Sequence, residues 1–231
     1  MATLKQLRDQ IIIDAGVSGQ PLFTTTRLDR MINLAQRYVQ TNLNGLGMKK
    51  WESSDSLTLS AITTFAGLGV RKAPLSTDCP NMLESPNSII FIETTDTDTS
   101  TSAIAYEVDM KNFQEQLANT YLAPTVSKPV FMRLANYIYL APSSLDSATA
   151  YYYKAVADLS SDSSSTEIPV EFEDFIIKKV VLDIDDILGK LQDKELAQRQ
   201  LEKDMAMSYE KFLGKQAELN RVTNNDKVKL Q

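Results

Sequence analysis

The sequence contains no histidine and a single cysteine, Cys79, among its 231 residues. Without histidine, the chain cannot form a Ser–His–Asp or Cys–His nucleophile pair and has no imidazole to offer a metal. One thiol can neither close an internal disulfide nor build a zinc site of the usual Cys/His kind. Any catalysis is therefore restricted to carboxylate or lysine chemistry.

Long hydrophobic runs are also missing. No segment approaches the roughly 20 apolar residues that span a bilayer, and the N-terminal MATLKQLRDQ lacks the pattern of an export signal. Apolar residues make up 43% of the chain, enough to build a core. We therefore expect a soluble protein, made in a reducing cytoplasm, with no membrane partner.

The net charge of −6 is unevenly distributed along the chain. Residues 158–189 carry nine acidic and two basic side chains, whereas residues 1–50 carry seven basic and three acidic ones. A general nucleic-acid-binding protein shows a basic face instead of an acidic central block. This distribution argues against that class.

Two helices are predicted at the N-terminus. Thr3 and Gln6 have capping-box spacing, and Gly16 supplies a stop signal for the first helix. A second helix begins near Thr26 and Asp29 and ends at the glycines 45 and 47. Its apolar residues recur at helical spacing: Leu28, Ile32, Ala35, Val39 and Leu43. Together the two helices suggest a helical hairpin.

The pattern changes to that of strands from Trp51 onward. Ser, Thr and alternating apolar residues favour a β-rich domain over residues 51–166, interrupted by a short helix that Asp109 caps. The runs PVFMRLANYIYLAP and ATAYYYKAV predict three strands of a β-meander at about 129–157, with Asn136 in the first turn. The polar tract TTDTDTSTS predicts an exposed loop or hairpin tip.

Helical spacing returns after the serine-rich linker LSSDSSSTE. Pro169 fits a first helical turn, and an apolar stripe runs from Phe172 to Leu188; a further helical stretch extends through Leu219. We therefore predict an α+β fold in which an antiparallel helical bundle (1–50 and 167–213) carries an inserted antiparallel β-rich domain (51–166).

Local motifs give little support for catalysis or metal binding. The glycine pair in AGLGV lacks the spacing of a phosphate loop, and Cys79 has no adjacent basic residue to lower its pKa. Asp183, Asp185 and Asp186 could attract a divalent cation, but their spacing on a helix favours a solvated acidic face. Glu171, Glu173 and Asp174 complement a helix dipole without any catalytic role. We expect no metal, no cofactor and no enzymatic activity.

The aromatic residues have two interpretations. Trp51 follows Lys49 and Lys50 and is either an interface anchor or, more simply, part of a core. Four tyrosines should share one parity of neighbouring strands: Tyr137, Tyr139, Tyr151 and Tyr153. A base-stacking platform needs accompanying basic residues, and only Arg133 and Lys154 are near in sequence. The tyrosines therefore favour a structural wall or a subunit contact.

Taken in order, several segments resemble the head-to-tail adaptor proteins, also called connector, head completion or neck proteins, of tailed bacteriophages. They are LKQLRDQI, a second helix leading to Trp51, Pro129, YIYLAP, AYYYKA and IPVEFEDFIIKKVV. The resemblance covers about residues 3–50 and 129–190 and rests on the order of the motifs. Residues 52–128 depart from it, being longer and richer in strands than the compact helical adaptors.

The resemblance implies a structural virion protein at the neck, made in the host bacterial cytoplasm. It implies a homo-oligomeric ring, typically of twelve copies, that lies below the portal protein and provides the attachment site for a tail or nozzle protein. The ring would extend the channel through which double-stranded DNA passes, without sequence-specific binding, during genome ejection. The alternative is a non-enzymatic binding module that grips a tail or accessory fibre protein through its β domain.

Three sets of residues are candidate sites under this resemblance. Residues 214–231 would form an extended C-terminal arm that docks on the portal. The candidate docking residues are Phe212, Leu219, Val222, Val228 and Leu230. A subunit or tail interface would use Trp51, Tyr137, Tyr139, Tyr151 and Tyr153. An acidic surface facing the channel would use Glu171, Asp174, Asp183 and Asp186.

Overall fold

The structure is a computed structural model that describes residues 1–60, 63–65, 68–83 and 88–228, with the side chains of Leu68 and of residues 218–228 excepted. Its helices are α1 (Leu4–Ala15), α2 (Thr25–Gly45), α3 (Leu75–Asp78), α4 (Met110–Ala118), α5 (Glu173–Ile187) and α6 (Lys194–Val228). Its strands are β1 (Glu52–Leu57), β2 (Thr63–Phe65), β3 (Leu68–Pro74), β4 (Ile89–Asp96), β5 (Thr101–Glu107), β6 (Val130–Leu134), β7 (Tyr137–Ala141) and β8 (Ser147–Tyr153). The predicted mixed α+β class is confirmed.

The chain divides into two compact units. Residues 1–49 and 156–231 form one, here called the helical unit, and residues 50–155 form the other, called the sheet unit. The helical unit is thus built from two segments far apart in sequence, while the sheet unit is continuous.

Local capping signals determine where α1 and α2 begin. The Thr3 hydroxyl accepts from the Gln6 N–H and the Gln6 side chain accepts from the Thr3 N–H, which completes the predicted capping box. Gly16 ends α1 in the left-handed conformation, with φ 63°. α2 begins one turn earlier than its apolar stripe because Thr24, not Thr26, is the capping residue.

The core of the helical unit is formed by facing stripes of α1, α2, α5 and α6. α5 contacts α1, α2 and α6, and it follows a 3₁₀ turn over Val170–Phe172 after Pro169. Gly189, with φ 66°, lies between α5 and α6. The buried side chains of α2 include all five of its predicted stripe: Leu28, Ile32, Ala35, Val39 and Leu43. The stripe of α5 ends early, since Ile187 is exposed.

The sheet unit contains an eight-stranded sheet in the order β1-β8-β4-β5-β6-β7-β3-β2. Neighbouring strands are antiparallel except β5 and β6, which run parallel, with Tyr106 opposite Val130. α4 lies between these two strands in sequence, so the chain returns before β6 begins. The expectation of a purely antiparallel domain is wrong at this pair.

The meander predicted at about 129–157 is also wrong beyond its first hairpin. β6 and β7 pair as expected, with Leu134 opposite Tyr137 across a two-residue turn. The residue with positive φ in that turn is Ala135 (φ 52°) and not Asn136. β7 then pairs with β3, while β8 lies between β1 and β4.

The segment between β7 and β8 explains this separation. The side chain of Leu145 is buried, and the Asp146 N–H donates to the Thr95 carbonyl, 3.1 Å away at the end of β4. The Asp146 carboxylate accepts from the Thr97 N–H at 2.7 Å. These contacts attach the chain to β4 and so direct β8 to that strand.

Apolar side chains cover both sides of the sheet, but to different extents. The larger cluster includes Ile92, Phe131, Leu140 and Tyr152. A smaller cluster on the opposite side has Phe113 of α4 at its centre, with Val130 and Met132. Because α4 contacts β6, this second side is covered near β6 and β7.

Candidate functional site

The Cys79 thiol and the Tyr152 hydroxyl of the sheet unit are both buried beside carboxylates. The Cys79 thiol is buried, and burial together with the nearby carboxylates of Asp55 and Asp78 raises its pKa to about 11. The Tyr152 hydroxyl donates to Asp55, and burial raises the pKa of that tyrosine to about 12. Among the residues described, no group of three or more Cys, Asp or Glu could hold a metal ion.

The predicted acidic surface on α5 is interrupted by lysines. Asp174 pairs with Lys178 at 2.7 Å and Asp186 pairs with Lys194 at 2.6 Å. Asp183 pairs at 2.5 Å with Lys179, whose ammonium also lies over the Tyr38 ring. Lys178 follows Asp174 by four residues and Lys179 precedes Asp183 by four. This spacing is visible in the sequence and predicts ion pairs along a helix. Of the four predicted residues, Glu171 is exposed, and Asp174 lies on the opposite side of α5 from Asp183.

The four predicted interface tyrosines share one face of the sheet but not one patch. Register places Tyr139 opposite Met132, on the side that α4 covers. Its ring lies 5.3 Å from Phe65, and the Tyr137 ring lies 3.7 Å from the Lys72 ammonium. Tyr151 and Tyr153 are on β8, separated from β7 by three strands.

The part of this face over β4, β5 and β8 carries exposed and half-buried apolar and aromatic side chains, and we call it the open sheet face. Its members are Phe91, Ile104, Tyr106, Tyr151 and Tyr153. The rings of Phe91 and Tyr151 stack at 4.2 Å, while Ile104 and Tyr106 are 54% and 64% exposed. Sequence reasoning missed Ile104 and Tyr106, although their alternation in TSAIAYE was the available signal.

Trp51 is not on this surface. Its side chain is 4% exposed, and its indole N–H has no hydrogen-bond partner among the described residues. This burial favours the interpretation of Trp51 as a core residue over that of an interface anchor.

The C-terminal helix leaves the packed part of the helical unit near residue 213. Leu201, Met205 and Tyr209 are buried, and Phe212 packs edge-on against Phe172 at 5.6 Å. The next five residues, from Leu213 to Ala217, are all exposed, which for a helix means exposure on every side. The backbone of Leu219, Val222 and Val228 is helical, and Leu230 lies outside the described residues.

A comparison with family models decides the class. The model of the SU10 adaptor protein family matches residues 2–227. The chain belongs to the SU10 adaptor protein family. The match spans both units and includes residues 52–128, which departed from the resemblance stated above. A search of the curated proteins gave no match.

Membership in the SU10 adaptor protein family confirms the predicted phage adaptor class. Such a family implies a component of the virion neck that contacts portal and tail proteins, and it suggests a structural role instead of catalysis. For an adaptor, the relevant sites are surfaces that meet other proteins. The open sheet face and the exposed part of α6, from Leu213 to Ala217, are therefore the first candidates.

Proposed function

We propose that this chain assembles into a homo-oligomeric ring of twelve copies below the portal, where it extends the DNA channel and provides the attachment site for the tail. The observation that carries this proposal is the match of the SU10 adaptor protein family over residues 2–227. The proposed architecture is an antiparallel helical bundle with an inserted β-rich domain and a C-terminal arm.

The C-terminal arm, residues 214–231, is the proposed portal-docking element. Its support is the exposure of five consecutive residues from Leu213 to Ala217, which shows that this part of α6 does not pack against its own unit. A helix gains most of its stability from packing an apolar face, so an unpacked continuation is expected to become stable against a partner. Leu219, Val222, Val228 and Leu230 are the arm residues proposed to make that contact. Phe212 already packs within the helical unit.

The acidic residues proposed to face the DNA channel are mostly paired with lysines. Three of the four acidic candidates are ion-paired with lysines, and they lie on different sides of α5. A wall of paired charges would still let DNA pass without holding it, because it presents little net attraction to phosphates. Glu171, Asp174, Asp183 and Asp186 therefore remain a prediction about the channel.

Reconstitution with the portal tests the proposed ring. The purified chain is mixed with its purified portal and examined by native mass spectrometry and electron microscopy. We expect a complex with twelve copies per portal ring, and we expect deletion of residues 214–231 to abolish it. Asp98→Ala, in the exposed turn between β4 and β5, is the matched control and should assemble normally. A chain that stays monomeric beside the portal would contradict the proposal.

A second candidate function is favoured by the open sheet face. Exposed apolar and aromatic side chains on neighbouring strands are typical of protein–protein contacts. The sheet unit would then grip a tail or accessory fibre protein, whether or not the chain forms a ring. Ile104→Asp combined with Tyr106→Asp should abolish tail joining and leave portal binding intact. Loss of portal binding together with tail joining would argue against this separation of roles.

A further inference from the structure

A groove on the helical unit is lined by the C-terminal end of α1, one side of α5 and the start of α6. Its volume is about 380 Å³. Its apolar lining consists of partly buried side chains: Ile177, Val181, Leu182, Leu191 and Ala197. These residues lie on α5 and beside it, away from the stripe of Ile176, Val180 and Ile184 that faces the core. The groove is thus an apolar surface that the helical unit leaves open.

Acidic side chains surround this groove. Asp14, Asp174 and Asp185 line it together with a single cation, Lys178, which is ion-paired to Asp174 at 2.7 Å. Asp14 accepts from the Gln10 amide at 2.7 Å and makes no ion pair with any described residue. Asp185 is likewise ion-paired, to Lys190 at 3.3 Å. Among the described lining residues, Asp14 is therefore the carboxylate that no lysine or arginine neutralises. An apolar segment flanked by a basic residue would match both the floor and the rim.

α2 presents such a segment on its solvent side. Leu34 is 56% exposed, and Arg30 and Arg37 lie one turn before and after it on the same face. Arg37 is held by Asp158 at 2.8 Å, whereas Arg30 is exposed and has no ion-pair partner in the part of the chain that the structure describes. We call these three residues the Leu34 knob.

The groove and the Leu34 knob are formed by different elements of the helical unit. α2 and α5 pack against each other through their buried stripes. On α2 the knob is opposite the stripe that contains Ile32, whereas on α5 the groove residues lie beside the stripe that contains Val180, where Asp14 of α1 and Ala197 of α6 also line the groove. No described residue of α2 lines the groove, so the two surfaces are separate, and each can meet its complement on another copy.

Two separate, complementary surfaces on one subunit allow a heterologous, head-to-tail contact, which generates a ring when the rotation between neighbouring copies closes. We propose that the groove of each subunit receives the Leu34 knob of the next subunit, with Arg30 facing Asp14. This inference rests on the ring proposed above and specifies the contact that closes it. Leu196 and Arg199 are another exposed apolar and basic pair, but they are not the proposed occupant of the groove. They lie at the start of α6, which itself lines the groove through Ala197.

Thiol cross-linking tests the contact directly. Leu34→Cys and Val181→Cys are introduced singly and together, the portal complexes are assembled, and a short bismaleimide linker is added. Cys79 is buried and its pKa is raised, so wild type provides an unreactive background. The double variant should give a ladder of covalent multimers up to the ring size. Each single variant alone should give none, and an equal mixture of the two should give dimers and nothing larger.

Several results would overturn the inference. Rings visible by electron microscopy with no ladder in the double variant would exclude the contact. Dimers from Leu34→Cys alone would indicate a like-to-like interface, and linkage of Cys at position 181 to the portal would assign the groove to that protein. If wild type forms no ring on the portal, the proposed function fails first, and this contact fails with it.

Charge reversal gives an independent measurement. Arg30→Glu should lower ring occupancy on the portal by about tenfold or more at low ionic strength, because it places like charges across the contact. Lys5→Glu makes the same charge change at an exposed position on the opposite side of α1 from Asp14 and should leave occupancy unchanged. Equal occupancy of the two variants would contradict the proposed contact.

Discussion

The helical unit and the sheet unit reach their cores in different ways. The helical unit joins two segments, 1–49 and 156–231, and its helices α1 and α2 are each defined by an apolar stripe and a capping threonine. The sheet unit is continuous in sequence, yet β8 lies beside β1 and β4 and not beside β7. Elements of the first unit are thus determined locally, while those of the second depend on strands distant in sequence. Substitutions made in matched pairs can separate the two cases.

The largest effect is expected within the sheet unit itself, between neighbouring residues of β8. Tyr152 is 1% exposed and donates to Asp55, while Tyr151 lies on the open sheet face. Tyr152→Asp buries a charge beside another carboxylate and should cost at least about 4 kcal/mol of unfolding free energy. Tyr151→Asp loses mainly the stack with Phe91 and should cost about 1 kcal/mol. Urea unfolding followed by circular dichroism measures both values.

The two variants should fail to assemble for different reasons. If Tyr151 contributes to an interface, Tyr151→Asp folds but lowers tail joining, whereas Tyr152→Asp fails at folding. Normal folding and normal assembly in both variants would contradict the two-sided description of β8.

A smaller effect tests whether the units unfold separately. Ile32 of α2 and Ile138 of β7 are both fully buried. Changing either to alanine should cost about 2–5 kcal/mol, because each removes buried methyl and methylene groups and leaves a cavity. Hydrogen exchange should show the lost protection mainly within the unit that carries the substitution. Equal loss in both units from either variant would indicate one cooperative structure.

The difference between the units also explains which predictions succeeded. Thr3, Gln6 and Gly16 act on their own neighbours, so the limits of α1 were readable from the sequence. The start of α2 was misplaced because Thr24 and Thr26 have the same capping chemistry, and only the fold selects one of them. The parallel pairing of β5 with β6 leaves no local signal at all. Ile104 and Tyr106 had a local signal in the alternation of TSAIAYE, but their position on one face with Phe91 and Tyr151 follows from the pairing of β4 with β5 and β8, which the sequence does not show.

Alkaline pH should act on one tyrosine in each unit. Burial, aided by a hydrogen bond to Glu202 in one case and to Asp55 in the other, raises the pKa of Tyr38 and raises that of Tyr152 to about 12. The ordinary pKa is 10.0, so the folded chain holds these protons more tightly than the unfolded chain. Their contribution to stability is complete below pH 10 and is lost as the pH rises, for Tyr152 through about pH 12.

Phenylalanine substitutions isolate these two contributions. Tyr38→Phe and Tyr152→Phe should each make the unfolding free energy fall less steeply above pH 10 than in wild type. Urea midpoints measured across that range give the slopes. Unchanged slopes in both variants would show that neither hydroxyl is held protonated by the fold.

The smallest effect compares one backbone conformation in the two units. Gly16 has φ 63° at the end of α1, and Ala135 has φ 52° in the β6–β7 turn. A Cβ at Gly16 would meet no atom within 4 Å, so Gly16→Ala tests backbone strain alone and should cost about 1 kcal/mol. Ala135→Gly removes the same strain but adds freedom to the unfolded chain, so it should stabilise by less than about 1 kcal/mol. Thermal unfolding measures the sign of the stability change in each variant. Destabilisation by Ala135→Gly would contradict this expectation, because the alanine side chain would then stabilise the turn by more than its left-handed conformation costs.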